Sequence, residues 1–168
     1  MTSNYIFILF HYNVEIILSG QNVNNIKEYL ANDHRRCDDL FAQMEAKANS
    51  SLADTKELTE AFVADMERHF QREERVVFPE FEAKTGMLNG PTEMMRQEHA
   101  QMRNLMQQFF EAIEEDNKDK FFGIAETLMI LLQQHNMKEE QMLYALMQQH
   151  LSAEAEHIIG MMDSLVVE

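Results

Sequence analysis

The chain is poor in residues that bend or cross-link a fold: its 168 residues include no tryptophan, one cysteine, two prolines and five glycines. The one cysteine, Cys37, cannot form an internal disulfide and favours a reducing compartment. Because few residues are suited to turns, long helices are the simplest prediction. The fourteen methionines fit such a fold, since flexible thioether side chains fill irregular gaps in helical cores.

Basic residues are also scarce, with 14 lysines and arginines against 29 acidic residues and a net charge of −15. Nucleic acids and anionic membrane surfaces both select proteins with clustered lysine and arginine. The chain contains no such cluster, so we expect neither as a partner. Its length suits one domain with a substantial core.

The first 22 residues differ from the rest. They contain an apolar run that is too short to span a bilayer, Tyr5-Ile6-Phe7-Ile8-Leu9-Phe10. No lysine or arginine precedes the run and polar residues follow it, so a secretory signal is not expected. We predict an N-terminal arm over residues 1–22, either strand-like or helical, followed by one domain over residues 23–168. Nothing in the sequence directs the protein elsewhere, so we expect it in the cytoplasm.

Apolar residues recur at helical spacing in four stretches, which predict helices over about residues 24–48, 54–79, 92–115 and 120–150. We expect Pro79 to end or kink the second helix, and residues 80–90 to link it to the third. A short helix is expected after Ser152. The apolar face of the fourth helix is predicted to include Leu128, Leu131, Met142 and Leu146. The predicted fold is all-α, an antiparallel up-down-up-down four-helix bundle with a short C-terminal helix.

Two segments share the pattern His-x-x-basic-Glu-Glu: they are His69-Phe70-Gln71-Arg72-Glu73-Glu74 and His135-Asn136-Met137-Lys138-Glu139-Glu140. Residues four apart on a helix lie about 40° apart around its axis, one turn from each other. Each segment therefore presents an imidazole and a carboxylate on one face. Helical bundles use this pair of side chains to bind metal ions.

The similarity extends beyond the two segments. His34 and His99 are 65 residues apart, while His69 and His135 are 66 apart, as are Glu73 and Glu139. This spacing indicates a helical hairpin used twice, each copy giving one lone histidine and one His-x-x-x-Glu pair.

A single histidine on an apolar face is more often a hydrogen-bonded core residue than a metal ligand, and a single His-x-x-x-Glu pair is common on exposed helices. Here all four apolar faces are interrupted in matched positions, which predicts a metal site. Its predicted ligands are His34, His69, Glu73, His99, His135 and Glu139.

The donors indicate which metal the site prefers. It contains no thiolate, which disfavours structural zinc, and calcium selects oxygen ligands only. Mixed imidazole and carboxylate ligands suit iron or manganese, with zinc as a further substitute. Six donors are too many for one ion that keeps an open position, but they suit two ions bridged by carboxylates.

These motifs resemble those of hemerythrin-like proteins, the His-His-Glu cation-binding class, over about residues 24–150. The resemblance is carried by Asp33-His34-Arg35-Arg36-Cys37-Asp38, by the two His-x-x-basic-Glu-Glu segments, and by Glu98-His99-Ala100-Gln101-Met102-Arg103. It implies two iron ions in a four-helix bundle, with two bridging carboxylates and an oxo or hydroxo bridge. Members of the family carry or sense dioxygen, bind nitric oxide, or support iron–sulfur cluster repair under stress.

The chain departs from the oxygen carriers of this family at one position. They have a fifth histidine one turn after the ligand on the third helix, whereas here Arg103 follows His99 by four residues. With two six-coordinate irons, two coordination positions would then stay open instead of one. This departure favours redox, nitric-oxide or iron-delivery chemistry over reversible oxygen transport.

Several alternatives stay open at this point. The leading interpretation is a di-iron protein that meets dioxygen, nitric oxide or peroxide in stress or iron homeostasis. The others are a di-iron oxidase or peroxidase, an iron donor for iron–sulfur cluster repair, and a structural bundle with a vestigial site. The sequence does not decide whether the protein is an enzyme, or whether it is a monomer or a homodimer.

Individual residues are also left with two interpretations. Glu140 could replace Glu139 as a ligand, but Glu139 is preferred because it shares a face with His135. Cys37 is expected to be an inert core thiol, with a redox thiol as the alternative. His150 and His157 are expected to be core or surface histidines, with a second metal or a supplementary ligand as the alternative. A metal-bound histidine usually donates its second ring N–H to an acceptor, and Asp38 or Asp65 could serve as one, although solvent-facing charge is the default interpretation of both.

Overall fold

The computed structural model describes residues 25–166, and this part of the chain is helical without any strand. Its α-helices are α1 (Ile26–Ser50), α2 (Lys56–Arg72), α3 (Phe78–Thr85), α4 (Pro91–Glu114), α5 (Lys118–Lys138), α6 (Tyr144–Leu151) and α7 (Ala155–Asp163). The all-α prediction is confirmed for these residues, and α7 is the expected C-terminal helix. The predicted arm over residues 1–22 lies outside the described residues.

Local sequence signals account for several helix ends. The side chains of Asn25 and Asn117 accept hydrogen bonds from backbone N–H groups in the first turns of α1 and α5. Pro91 is the first residue of α4, where a missing N–H costs nothing. Gly86 ends α3 in the left-handed conformation, with φ of +73°, which glycine adopts without steric cost.

Two π-helical turns interrupt the long helices. Glu73–Val77 joins α2 to α3, and Glu139–Leu143 joins α5 to α6. In each turn the backbone N–H five residues on, that of Phe78 or Tyr144, donates to the carbonyl of the glutamate. A π turn accommodates one more residue than an α turn, so it shifts the register of every residue that follows. Such turns are frequent at functional sites.

The course of the helices corrects two predictions, the second of them through this shift. Residues 80–90 do not form the link, because the helix continues past Pro79 as α3, and the connection to α4 spans only residues 86–90. Met142 and Leu146 were expected on the buried face of the fourth helix but are 64% and 37% exposed. The extra residue turns them outward and places others in the core, namely Leu143, Tyr144, Met147 and Leu151.

The helices enclose two apolar clusters. The strongest packing pairs α1 with α2 and α4 with α5, while α2 also packs on α4 and α1 on α6. One cluster is centred on residues such as Phe41, Phe62, Met106, Phe109 and Phe121. The other is centred on residues such as Leu30, Phe78, Phe81, Met147 and Ile158. Burying one such side chain stabilises the fold by roughly 1.5–3 kcal/mol.

The helix α7 packs on α1 and on the turn Glu73–Val77. There the Tyr29 hydroxyl donates to Asp163 at 2.6 Å, and Lys84 of α3 pairs with Glu154 at 2.7 Å. The C-terminal helix therefore covers the second apolar cluster. Within residues 25–166, no helix has the combination of length and apolar character that crossing a bilayer requires.

Candidate metal centre

The structure places all six predicted ligands together and buries them. None is more than 4% exposed: the six are His34, His69, Glu73, His99, His135 and Glu139. The four histidines lie on regular α-helices, one each on α1, α2, α4 and α5, and the two glutamates open the π turns. Burying ionisable groups is costly unless they are paired or bind a cation. The convergence of six such side chains therefore indicates a purpose other than packing.

The six side chains form two adjoining groups. One group consists of His34, His69 and Glu139, and the other consists of Glu73, His99, His135 and Glu139. Within each group, every residue offers one donor atom, and these atoms all lie within 4.8 Å of one another. Because Glu139 belongs to both groups, the groups share a carboxylate. Glu73 also approaches the first group, with its Oε2 3.4 Å from His69 Nε2.

The histidines are arranged in two facing pairs. His34 Nε2 lies 3.1 Å from His69 Nε2, and His99 Nε2 lies 3.2 Å from His135 Nε2. Glu139 Oε2 is 3.2 Å from the Nε2 atoms of both His34 and His135. Neighbouring ligands that bind one ion octahedrally at about 2.1 Å are separated by about 3.0 Å. The distances in both groups are close to this value.

Carboxylates fix the outward nitrogen of three rings. His34 Nδ1 lies 2.7 Å from Glu140, His99 Nδ1 lies 2.7 Å from Glu74, and His135 Nδ1 lies 2.9 Å from Glu98. An ionised carboxylate only accepts hydrogen bonds, so each Nδ1 carries the proton and donates it. When the rings are neutral, as metal binding requires, their Nε2 lone pairs point at each other, an arrangement that a cation between them would stabilise.

The fourth ring, that of His69, has a looser arrangement. Its Nδ1 is 3.6 Å from Asp33, which is beyond hydrogen-bonding distance. Asp33 accepts instead from Arg72, with both carboxylate oxygens 2.8 Å from Nη1. The equivalent pair in the second half is Lys138 with Glu98. The basic residue of each His-x-x-basic-Glu-Glu segment therefore neutralises the acid that precedes the lone histidine.

The carboxylates make the centre strongly attractive to positive charge. Burial alone would lower the pKa of His34, but Glu139 and Glu140 raise it to about 10. Burial likewise opposes protonation of His135, yet the charge of Glu139 raises its pKa to about 9. The pKa of Glu139 is held well below its usual range against the opposing effect of burial, first by His135.

Within the centre, two buried carboxylate oxygens lack a hydrogen-bond partner among the described residues, Glu73 Oε2 and Glu139 Oε1. Leaving an ionised oxygen unpaired in the interior costs several kcal/mol. Both oxygens lie on the residues predicted to bridge two ions. Imidazole and carboxylate donors, unpaired oxygens and convergent lone pairs together fit a pair of transition-metal ions.

One residue of the centre was not predicted from the sequence. The Tyr144 hydroxyl is 2.7 Å from Glu73 Oε1, 2.8 Å from Glu139 Oε2 and 3.1 Å from His34 Nε2. Tyr144 follows Glu139 by five residues, a separation that does not share a face in an α-helix but does across a π turn. The five-residue separation between Glu139 and Tyr144 could therefore be read from the sequence, but it indicated a shared face only once the π turn was known.

Other predicted roles are filled by different residues. Asp65 accepts from Arg36 and from the Cys37 thiol and pairs with Arg68, and within residues 25–166 no hydrogen bond or ion pair joins it to a histidine ring. Asp38 is exposed. Asp38 is therefore solvent-facing, as its default interpretation has it, whereas Asp65 is buried and pairs with arginines. The acceptors of the His34, His99 and His135 rings are glutamates of other helical segments.

The alternatives left open for single residues are placed as follows. Glu139 lies inside the centre, whereas Glu140 lies outside it and accepts from His34. Arg103 is directed at Glu67 and Glu74, with N–O distances of 2.8 to 3.1 Å, and its guanidinium stacks over Phe70. Two further histidines, His150 and His157, are exposed and belong to neither ligand group.

A family model described as the hemerythrin HHE cation binding domain matches residues 25–147. This match covers most of the chain and includes all six predicted ligands. It confirms the resemblance expected from the motifs. No curated protein and no solved structure gave a match to the chain.

Proposed function

Because the chain belongs to the hemerythrin HHE cation binding domain family, we propose that it binds two iron ions in the centre described above. One ion is held by His34 and His69, and the other by His99 and His135. Glu73 and Glu139 bridge the two ions. Manganese or zinc are the substitutes expected from the same donors.

The observation that supports this proposal best is the division of the ligands into two groups that share Glu139. A site for one ion would need only one such group. The paired Nε2 atoms and the two unpaired carboxylate oxygens support the same number of ions.

Two iron ions at these positions would supply redox chemistry and a binding position for a small ligand. We propose that the ligand is dioxygen, nitric oxide or peroxide. The surroundings favour such small molecules, because apolar clusters enclose the centre on both sides and the aromatic rings of Phe70 and Tyr144 pack against the ligand histidines. The protein's own contribution is to orient the rings, to supply bridging carboxylates and to exclude bulk water.

The π turns join α2 to α3 and α5 to α6, so the described part of the chain has four long helical units: α1, α2 with α3, α4, and α5 with α6. We further propose that these four units run antiparallel, in an up-down-up-down course. The short connections, and the pairing of α1 with α2 and of α4 with α5, support this course. A cytoplasmic location and a role in oxidative or nitrosative stress, or in iron homeostasis, are the expectations that accompany the proposed ligands.

The proposal is tested by metal analysis of protein purified without air. We expect two irons per chain, and an absorption spectrum that changes on adding oxygen and then azide. The variant Glu73→Ala/Glu139→Ala should lose the bound iron, whereas Glu126→Ala, which alters an exposed glutamate on α5, should retain it.

Full iron retention in the double variant would contradict the bridging assignment. Less than one metal per chain in the unaltered protein would contradict the centre as a whole. Turnover of peroxide by the iron-loaded protein, if it exceeds that of the double variant, would move the peroxidase interpretation ahead of ligand binding or sensing.

A further inference from the structure

We propose that the Tyr144 hydroxyl oxygen is a ligand of the ion held by His34 and His69, and that the ion held by His99 and His135 keeps the open position. This inference rests on the proposed function and adds to it. It makes the centre unequal, with one ion closed by a phenol oxygen and the other accessible to a small molecule.

The first argument is the position of the oxygen. It lies 2.7 Å from Glu73 Oε1, 2.8 Å from Glu139 Oε2 and 3.1 Å from His34 Nε2. These three atoms belong to three of the predicted ligands. Their separations from the phenol oxygen are close to the roughly 3.0 Å expected between neighbouring donors on one octahedral ion. The oxygen therefore lies where a further donor to the first ion would lie.

The second argument is the hydrogen-bonding capacity of the phenol. A tyrosine hydroxyl has one hydrogen to donate, while the two carboxylate oxygens can only accept. In the neutral His34 ring that metal binding requires, Nε2 also accepts, because Nδ1 donates to Glu140. Tyr144 is fully buried, so water does not supply the missing donors. A cation bound to the phenol oxygen would relieve the excess of acceptors around it.

The third argument is a comparison between the two halves of the chain. Phe78 lies 66 residues before Tyr144 and occupies the same position after its π turn. Phe78 follows Glu73 by five residues, as Tyr144 follows Glu139. The Phe78 ring stacks on His99 at 6.1 Å between centroids, and the Tyr144 ring stacks on His34 at 5.5 Å. The two positions thus differ chiefly by one hydroxyl group.

Binding of a ferric ion by Tyr144 breaks the phenol O–H bond and forms an iron–oxygen bond, and the proton leaves to solvent. No electron is transferred in this step. The anionic oxygen attracts an ion of charge +3 more strongly than one of charge +2. Tyr144 is therefore expected to favour the ferric state of the first ion over ferrous iron or zinc.

The test uses the full-length, iron-loaded protein. Ferric phenolate complexes absorb visible light through charge transfer from the ring to iron, and resonance Raman spectra show the ring vibrations. We expect this band in the unaltered protein and its loss in Tyr144→Phe, which should still bind about two irons per chain because His34, His69 and the two glutamates are unchanged. The matched control is Tyr29→Phe, which removes a phenol bonded to Asp163 and should keep the band.

The reciprocal variant is Phe78→Tyr, which places a second phenol beside His99. It should strengthen the visible band and reduce azide binding at least tenfold, whereas Tyr144→Phe should open a further position and increase the azide bound per chain.

A protein with two irons and no phenolate vibrations would overturn the ligand assignment while leaving the proposed function intact. Retention of the band in Tyr144→Phe would overturn it as well. Absence of iron from the unaltered protein would instead contradict the proposed function, and the ligand assignment with it. The Raman spectrum of the unaltered protein decides the question even if Tyr144→Phe does not fold.

Discussion

His34 Nδ1 and the carboxylate of Glu140 lie 2.7 Å apart, although 106 residues separate them in the chain. The reciprocal pair joins His99 of the second half to Glu74 of the first half, also at 2.7 Å. In both cases a glutamate of one half orients the lone histidine of the other. The two halves therefore complete each other's ligand geometry, and neither contains a finished set.

The first prediction concerns these crossed pairs. Glu140→Gln replaces a charged acceptor by a neutral amide, so the His34 ring is held less firmly in the required tautomer. We expect a loss of about 10–100-fold in metal affinity, measured by competition with a chelator. The same loss is expected for Glu74→Gln. The exposed Glu126→Gln is the control, and an equal loss there would show that net charge alone is responsible.

A second prediction concerns the apolar cluster beside the centre. Phe62 is fully buried and its ring packs edge-on against Phe41, with 5.3 Å between centroids. Phe62→Ala should reduce the free energy of unfolding by about 3–5 kcal/mol, because it removes a large side chain and leaves a cavity. The measurement is denaturant unfolding of the metal-free protein. The half-buried Phe122 offers a comparison, and a loss at Phe62 no larger than that of Phe122→Ala would contradict the prediction.

The single thiol is predicted to be unreactive in the folded protein. Cys37 is buried, and burial, followed by the charge of Asp65, raises the pKa of its thiol well above the usual range. Since the thiolate is the reactive form, a thiol reagent at neutral pH should label the chain only after denaturant is added. The variant Cys37→Ala should retain its metal. Rapid labelling of the native protein would show that the thiol is accessible.

A pH dependence is predicted for the contact between α3 and α4. Burial opposes ionisation of Glu82, but hydrogen bonds from Arg96 and Thr92, each at 2.5 Å, hold its pKa below the usual value of 4.5. A carboxyl whose pKa is lowered on folding stabilises the fold above its unfolded pKa, and this contribution is lost as the pH falls through its folded pKa.

The free energies of unfolding of the unaltered protein and Glu82→Gln should therefore differ by about 1.5–3 kcal/mol at pH 7. The difference should shrink as the pH falls below about 4.5. Glu80→Gln, an exposed change in the same helix, should show no such trend. A difference that stays constant down to acid pH would contradict the role of the Glu82 charge.

The sequence predicted the parts of this molecule that depend on spacing along one helix. His69 and Glu73 are four residues apart and share a face, so their pairing could be predicted. The matched spacing of the ligands likewise predicted that the two halves are equivalent. The all-helical fold followed from the apolar spacing. That all six residues bind metal stays a prediction, although the structure places them together.

Contacts between distant segments could not be predicted in the same way. Asp38 and Asp65 were candidates for orienting histidines because they lie four residues from His34 and His69, with solvent-facing charge as the default interpretation. The acceptors are instead supplied largely across the bundle, as Glu140 shows. Spacing on one helix does not determine which neighbouring helix presents its carboxylate to a ring.

The two π turns have a consequence for insertions and deletions. Each is equivalent to a helix carrying one additional residue, and removing a residue such as the exposed Gln141 would restore an ordinary α-helix. This deletion would rotate the helical residues that follow by about 100° around the axis, so Tyr144 would turn away from the centre and Met147 away from the core. A chain shortened there by one residue would have more regular backbone hydrogen bonds but a poorer fit between its helices. Length in these two turns is therefore expected to tolerate change less well than the identity of their exposed side chains.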